Sequence, residues 1–411
     1  MSKDEGHLRQ VVSYFFMLGC IAFGGPAAHV ALMHRELVER KQWLTEQQFV
    51  DLWAATNLIP GPNSTEMAIH ISAVRAGWRG LIGGGIAFIL PAALMVTALA
   101  WSYTQFGHLP QASWILYGVK PVVIAIVVHA LFGLLRTAWR SIPLAALGMG
   151  AGAIALLGVN ELLVLFGCGI LAGVIVSAKG HLPSMPGKAS LVALPLASLG
   201  TVTPLSKPLL GLAGGLLAPI AAPFGLGQLF FTFLKIGAVL YGSGYVLLAF
   251  LHGDFVEGLG WLSEDQLLDA VAVGQLTPGP LFTTASFVGY LTGYESFGTA
   301  QGALLASALA TVGIFLPSFL FVAAINPWIP KLRDSQFFGA VLDGVVSAAI
   351  GLMGAVAIFL GQAALVDIPT VAAAGIAFAL LWFTKINSIW LIVGGAVFGV
   401  VVQLALPYVM P

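Results

Sequence analysis

Charge is what this chain has least of: only 8% of its 411 residues are Asp, Glu, Lys or Arg, the two signs cancel at 17 each, and no basic run stands out. That excludes nucleic acid as a partner. With 59% hydrophobic residues and a mean hydropathy of +0.96, a soluble globular domain is excluded as well. Cysteine is nearly absent. Cys20 and Cys168 form no metal-ligand spacing and no disulfide framework, and their apolar neighbours make them read as buried, inert thiols. Also missing are a G-x4-G-K-[ST] nucleotide loop, a His-Glu-x-x-His pair and any serine-base arrangement on the apolar runs. ATP hydrolysis has no residues to carry it. The chain is read as a non-enzyme that needs no cofactor, with an intramembrane enzyme as the distant alternative.

What the chain has in abundance is apolar sequence of membrane-spanning length. Runs lie near 11–33, 80–104, 112–135, 142–158 and 161–178, and again near 228–251, 297–325, 336–361, 369–384 and 386–406. About ten spans follow, with the lipid bilayer as solvent. Lys3 and Arg9 ahead of the first run, and Met17-Leu18-Gly19-Cys20 within it, imitate a signal sequence. The run is nonetheless expected to be structural, because its counterpart near Leu234–Ala238 lies in mid-chain.

The two sets of runs are copies. Gly19 to Gly84 matches Gly237 to Gly302 without a gap at an offset of 218 residues. The shared pattern is G-x4-G, then H-x3-V-E-x3-W-L-[TS]-E-x-Q-x2-D, then L-x-P-G-P. It uses His34, Glu39, Trp43, Glu46, Asp51 and Pro60-Gly61-Pro62 once, and His252, Glu257, Trp261, Glu264, Asp269 and Pro278-Gly279-Pro280 again. Further on, the offset becomes 226, pairing Pro91 with Pro317 and Gly118 with Gly344. The organisation expected is an N-terminal repeat over 1–178, a Pro-, Gly- and Ser-rich connector over 179–226 holding short apolar helices near 189–202 and 208–222, and a second repeat over 227–411.

Basic residues of the first half (Lys3, Arg9, Arg35, Arg40, Lys41, Arg75, Arg79, Arg136, Arg140, Lys179, Lys188) avoid the loops near 105–111 and 158–160. In the second repeat the loops near 253–265, 293–296 and 362–368 have none, while Lys331, Arg333 and Lys385 occupy the equivalents of the empty loops. Positive residues mark the cytoplasmic side. The fold expected is therefore an all-α polytopic membrane protein built from two inverted-topology repeats.

The charge pattern also puts Arg35–Lys41 on the same side as Arg75 and Arg79, so the stretch between them goes in and comes back. Pro60-Gly61-Pro62 divides it into half-helices of roughly 18 Å, too short for a core of about 30 Å. Two prolines around a glycine cannot continue a helix, and such broken backbone survives at membrane depth only against protein or water. A second break is expected at Phe23-Gly24-Gly25-Pro26, mirrored by Tyr241-Gly242-Ser243-Gly244.

After each Pro-Gly-Pro a helix opens on polar residues, Asn63, Ser64, Thr65 and Glu66 in one repeat and Thr283 and Thr284 in the other. Unpaired amides and the positive dipole end make a helix N-terminus an anion site. The candidate substrate residues are accordingly Phe23, Gly24, Gly25, Pro26, Asn57, Pro60, Gly61, Pro62, Asn63, Ser64, Thr65, Gly242, Ser243, Pro278, Gly279, Pro280, Thr283 and Thr284, with helix capping as the simpler reading of the hydroxyls. Ionisable groups at the bilayer centre cost roughly 2.5 to 3.5 kcal/mol each on insertion. Lys120 and Lys235 are candidates to attract a divalent anion, and Glu66 and Asp343 to couple its movement; the offset brings Lys120 and Asp343 together if both helices line the axis. His29, His70 and His129 are weaker candidates for proton relay. The repeated acidic loop reads as interfacial architecture, with Trp43 and Trp261 at the headgroups and Thr45 and Ser263 as N-caps.

Phe23-Gly24-Gly25-Pro26, the His34-to-Trp43 pattern used twice and Pro-Gly-Pro in both halves resemble the long, two-domain members of the chromate ion transporter family. The resemblance implies an inner-membrane protein that exports chromate from the cytoplasm, confers chromate resistance and draws on the proton-motive force. Gly242-Ser243-Gly244 departs from the Phe-Gly-Gly-Pro form, so an asymmetric site is expected. The partners are then chromate, with sulfate as the alternative tetrahedral dianion, and lipid; a homo-oligomer is left open. Topology gives the first test: reporter fusions at Arg136 and within the 363–367 turn should report opposite compartments, and a shared compartment would refute the inverted arrangement.

Overall fold

The computed structural model describes residues 3–23, 25–107, 109–139, 141–180, 223–241, 244–325, 336–384 and 386–409. Most of the 179–226 connector, including the helices expected near 189–202 and 208–222, lies outside the described residues, as do Gly24, Gly242, Ser243, Arg140, Lys188, Lys331, Arg333 and Lys385.

The first repeat folds as α1 (Lys3–Ile21), α2 (Gly25–His34), a π-helical turn at Arg35–Arg40, α3 (Glu46–Thr56), α4 (Asn63–Phe106), α5 (Pro110–Ala138), α6 (Ile142–Ala155) and α7 (Glu161–Gly180). The second runs α8 (Leu226–Val239), a 3-10 turn at Gly244–Val246, α9 (Leu247–Leu251), a π-helical turn at His252–Gly258, α10 (Glu264–Leu276), a 3-10 turn at Leu281–Thr283, α11 (Thr284–Phe297), α12 (Ala300–Ile325), α13 (Gln336–Ala364), α14 (Ile368–Phe383) and α15 (Ser388–Val409). The described residues form an all-α polytopic membrane protein.

Local chemistry sets these boundaries. Thr45 and Ser263 each accept from the backbone of Gln48 and Gln266, whose side chains reach back to the cap, so both α3 and α10 open on a capping box. Asp367 caps α14 in the same way with Thr370. Proline stands in the first turn of α5, α6 and α14, where its missing donor costs nothing.

Five helices are long and apolar enough to cross a bilayer: Asn63–Phe106, Pro110–Arg136, Ala300–Ala324, Gly339–Ala364 and Ser388–Ala405. Four apolar helices are shorter. This is fewer than the number of apolar runs, for two physical reasons. The run near 11–33 is interrupted after Ile21 and that near 228–251 after Val239, and α6 and α14 end at 14 and 16 residues, about 21 to 24 Å.

The in-and-back path is formed. Ala76 and Gly77 leave helical geometry inside α4. Beyond them the chain reverses, so that a Cβ on Gly84 would lie 2.0 Å from Ser72 Oγ; twelve residues of straight helix would hold them about 18 Å apart. Both ends of the excursion meet, the Arg75 guanidinium lying 5.1 Å over the Trp43 ring. In the second repeat Gln266 at the start of α10 bonds Glu295 near the end of α11 at 2.6 Å. Trp261 is buried, packed on Phe224 and Phe255, where Trp43 is half-buried. Cys20 departs from its expected burial and is exposed on α1, while Cys168 is half-buried; both are free thiols.

Within each repeat the first helix lies along the hairpin's long arm, α1 on α4 and α8 on α12. Between repeats the partners are exchanged. α5 is clasped by α14 and α15 of the second repeat, and α13 by α6 and α7 of the first. Glycine permits the crossings, since a Cβ on Gly118 would sit 1.9 Å from Gly395 O and one on Gly351 would sit 2.0 Å from Gly148 O. Where lipid offers no hydrophobic drive, such backbone approach is what binds helices. Gly118→Ala and Gly351→Ala should each lower stability in detergent by about 1 to 3 kcal/mol, read as a lower thermal midpoint. Gly150→Ala, whose added methyl meets open space, should leave the midpoint unchanged.

Candidate functional site

The breaks of one repeat are tied to the breaks of the other. Gly61 N–H donates to Leu240 O at 2.8 Å, and Gly279 N–H donates to Ala22 O at 2.8 Å. The offset of 218 converts Gly61 into Gly279 and Ala22 into Leu240, so the two bonds are one bond made twice. Each repeat's Pro-Gly-Pro glycine thus donates to a carbonyl of the other repeat. Both glycines have positive φ, +138° and +91°. A Cβ on Gly61 would also fall 2.2 Å from Glu66 Oε1 and 2.6 Å from Ser318 Oγ. Four interrupted segments therefore converge, and the Pro-Gly-Pro peptides satisfy the open carbonyls that end α1 and α8.

Around this crossing the first repeat supplies the buried ionisable side chains His29, Glu66 and His70, and the second supplies hydroxyls at Tyr245, Thr283, Thr284 and Ser318. His29 Nε2 lies 3.1 Å from Ala22 O and its Nδ1 lies 3.3 Å from Ser64 Oγ. Because a carbonyl only accepts, Nε2 carries the proton, and in the neutral ring Nδ1 accepts from the Ser64 hydroxyl. Glu66 is fully buried; Ser318 Oγ from α12 donates to its Oε1 at 3.4 Å, and its Oε2 has no partner among the described residues. Thr65 Oγ1 and both ring nitrogens of His70, one turn beyond Glu66, are likewise buried without a partner. Such groups are expensive to leave unsatisfied. They cluster at the opening of α4.

The second repeat contributes differently. His29, Ser64, Glu66 and His70 correspond to Leu247, Phe282, Thr284 and Val288, and Ser318 corresponds to Ala92. Thr283 Oγ1 donates to Pro280 O and Thr284 Oγ1 to Leu281 O, both at 2.8 Å. Their protons are already engaged, so they offer an anion only lone pairs. The site is asymmetric.

The remaining candidates divide. Pro60, Pro62, Pro278 and Pro280 are buried at the crossing. Gly25 opens α2 with φ +77° beside the Tyr245 hydroxyl, with Phe23 and Pro26 half-buried next to it. Asn63 Nδ2 donates to Asn57 Oδ1 at 2.9 Å and Asn57 Nδ2 to Trp53 O at 2.8 Å, a pair on the open side that pins the end of α3 to the start of α4. Pro62 is the N-cap of α4 and makes no side-chain cap, so the expected hydroxyl capping is not how this helix begins.

Both lysines are held by carboxylates. Lys120 Nζ lies 2.7 Å from Asp265 Oδ1 and 3.4 Å from Asp269 Oδ1, and Tyr103 donates to Asp269 Oδ2 at 2.8 Å. Lys235 is paired with Asp254. The pairing of Lys120 with Asp343 is replaced by these contacts, because α10 packs against α5 and brings two acidic groups within reach; Asp343 is exposed on α13. Sequence reasoning overlooked Ser318. Its signal was present as a hydroxyl following Pro317 where the other repeat has Ala92 after Pro91.

A multi-pass helical protein whose interrupted helices converge on a cluster of buried polar side chains is built as a membrane transporter. The chain belongs to the chromate transporter family, whose model matches residues 9–174 and 227–400. It is 34% identical over 396 residues to the chromate transport protein of Cupriavidus metallidurans, covering 96% of this chain and 93% of that one. It is 31% identical over 399 residues to a probable chromate transport protein of Synechococcus elongatus, covering 96% and 95% of the two chains. Against the chromate transport protein of Pseudomonas aeruginosa the identity is 29% over 409 residues, with 95% and 91% covered. No solved structure matches. The family places the chain among multi-pass inner-membrane proteins.

The crossing gives its own test. Gly61→Ala combines a backbone strain of about 1 to 3 kcal/mol with displacement of the Glu66 carboxyl. It should lower both the thermal midpoint and the transport rate, whereas Gly77→Ala, strained by φ alone with open space around it, should lower only the midpoint.

Proposed function

We propose that this protein is a secondary transporter that exports chromate from the cytoplasm, is driven by the proton-motive force and so confers chromate resistance, with its two repeats inserted in opposite orientations. The observation that carries the reading is the buried cluster of Ser64, Thr65, Glu66 and His70 at the start of α4, beside the crossed Pro-Gly-Pro loops. The names of the relatives supply the anion.

Opposite orientation is supported by where each repeat begins. Gln10 of α1 bonds Arg75 at one end of the molecule. Phe224, ahead of α8, packs on Trp261 and Phe297. That second group lies near Tyr294, which bonds Gln105 at the far end of α4. The arm of α4 beyond Gly77 is about 44 Å long as helix, so the two beginnings are a bilayer apart. Arg35, Arg40, Lys41, Arg75 and Arg79 gather at the first end alongside Glu36, Glu39 and Glu46, whereas the basic residues at the second are Lys120 and Lys235, both held by carboxylates among Asp254, Asp265, Asp269 and Glu295. By the positive-inside rule the first end is cytoplasmic.

The first amides of α4 and the Thr65 hydroxyl, buried without a partner among the described residues, are donors for an oxyanion, and the helix dipole favours negative charge there. Glu66, one turn in, opposes a dianion when ionised and admits it when protonated. The state of one carboxyl thereby couples the anion site to protons. The electrical part of the driving force is ample: a dianion leaving a cell held at 100 mV, negative inside, gains about 4.6 kcal/mol.

Everted membrane vesicles test the reading. Energised vesicles should accumulate labelled chromate, an uncoupler should abolish accumulation, and Glu66→Gln should slow it about tenfold, equivalent to about 1.4 kcal/mol, with insertion intact. Failure to accumulate chromate overturns export, and competition by equimolar sulfate would reassign the anion.

A further inference from the structure

Because the two repeats share a motif, residues that correspond by sequence report on conformation when their surroundings differ. The His side chain that opens the π-helical turn is 29% exposed at His34 and 4% exposed at His252. Asp51 is half-buried and its equivalent Asp269 is 3% exposed; Trp43 is half-buried and Trp261 buried. The helices behave likewise. α10 is enclosed by α4, α5, α13 and α15, while α3, among the described residues, packs chiefly along α4. One re-entrant half-helix is sealed and the other is open.

The seal has a chemistry of its own. Lys120 on α5 reaches Asp265 and Asp269 on α10, and Tyr103 on α4 donates to Asp269. All of these links join α10 to the other repeat. Positions equivalent to Lys120 and Asp265 are Val346 and Gln47, so α3 has no counterpart of the lysine latch. A buried carboxylate whose ammonium partner is withdrawn is left uncompensated, so this end holds shut until both charges are rehydrated together.

We propose that the Lys120–Asp265–Asp269–Tyr103 cluster is a gate that closes the α10 end of the pathway, and that its opening is coupled to closure of α3 at the opposite end, the two repeats exchanging conformations. Lys120 is then a gate residue whose ammonium becomes available to an anion only when α10 swings away. This reconciles its place on a transport helix with its present engagement by two carboxylates. The inference rests on the transporter reading and is independent of which anion is carried.

Ala54 and Ala272 are sequence equivalents on α3 and α10, half-buried and buried respectively. In a background with Cys20→Ala and Cys168→Ala, single Ala54→Cys and Ala272→Cys variants are labelled with a membrane-impermeant maleimide in right-side-out and everted vesicles. The expected result is labelling at Ala54→Cys from the α3 end at least about tenfold faster than at Ala272→Cys from the other. Adding Lys120→Ala should speed the second and slow the first, while Lys120→Arg should preserve the original ratio. Equal rates at the two positions, or faster labelling at Ala272→Cys without protection at Ala54→Cys, overturn the coupled gate. The readout uses no chromate, so it can fail while chromate export stands, and the reverse.

Discussion

Everything in this molecule depends on how broken backbone is satisfied away from water. Pro-Gly-Pro removes donors and ends a helix, and the Gly-Gly-Pro region leaves the carbonyl of Ala22 without its helical partner. In lipid neither is tolerable alone. The crossed bonds from Gly61 to Leu240 and from Gly279 to Ala22 resolve both at once, each repeat supplying what the other lacks. That mutual requirement explains why one unit appears twice in a single chain and why the long central helices are clasped by their partner's hairpins rather than their own.

Once the backbone is settled by reciprocal bonds, the side chains are free to differ, and they do. His29, Ser64, Glu66 and His70 correspond in the other repeat to Leu247, Phe282, Thr284 and Val288. Symmetric scaffolding with asymmetric chemistry suits a carrier. On the transport reading proposed above, a single set of titratable groups would give one coupling event per cycle rather than two competing ones. The lysine latch at only one end extends the same principle to the gates, since a cycle that starts from a preferred conformation needs its two closed states to differ in energy.

Much of this was legible in residues alone. The repeat, the helix breaks, the in-and-back excursion between Trp43 and Arg75 and the capping boxes at Thr45 and Ser263 follow from proline, glycine and capping chemistry, which act over a few residues. Glu66 stood out because a carboxyl in an apolar run is costly wherever the run folds. Ser318 did not stand out, because a lone serine costs little and its importance comes from a glutamate 252 positions away in the chain. Lys120 stood out as a charge within an apolar run, but its contacts with Asp265 and Asp269 did not: the offset locates equivalent helices but carries no information about which neighbouring helix slides between them.

The amino-acid sequence by itself determined the solvent, the class of fold, the existence of two related units and the points at which their helices must break, because each of these is enforced by local stereochemistry or by the cost of charge in lipid. Only the tertiary structure decided which carbonyls the Pro-Gly-Pro amides would meet, which hydroxyls kept a free proton, and which of two near-identical half-helices would be sealed. Those outcomes are set by contacts between distant segments whose energies differ by little, and no pattern within either segment contains the other.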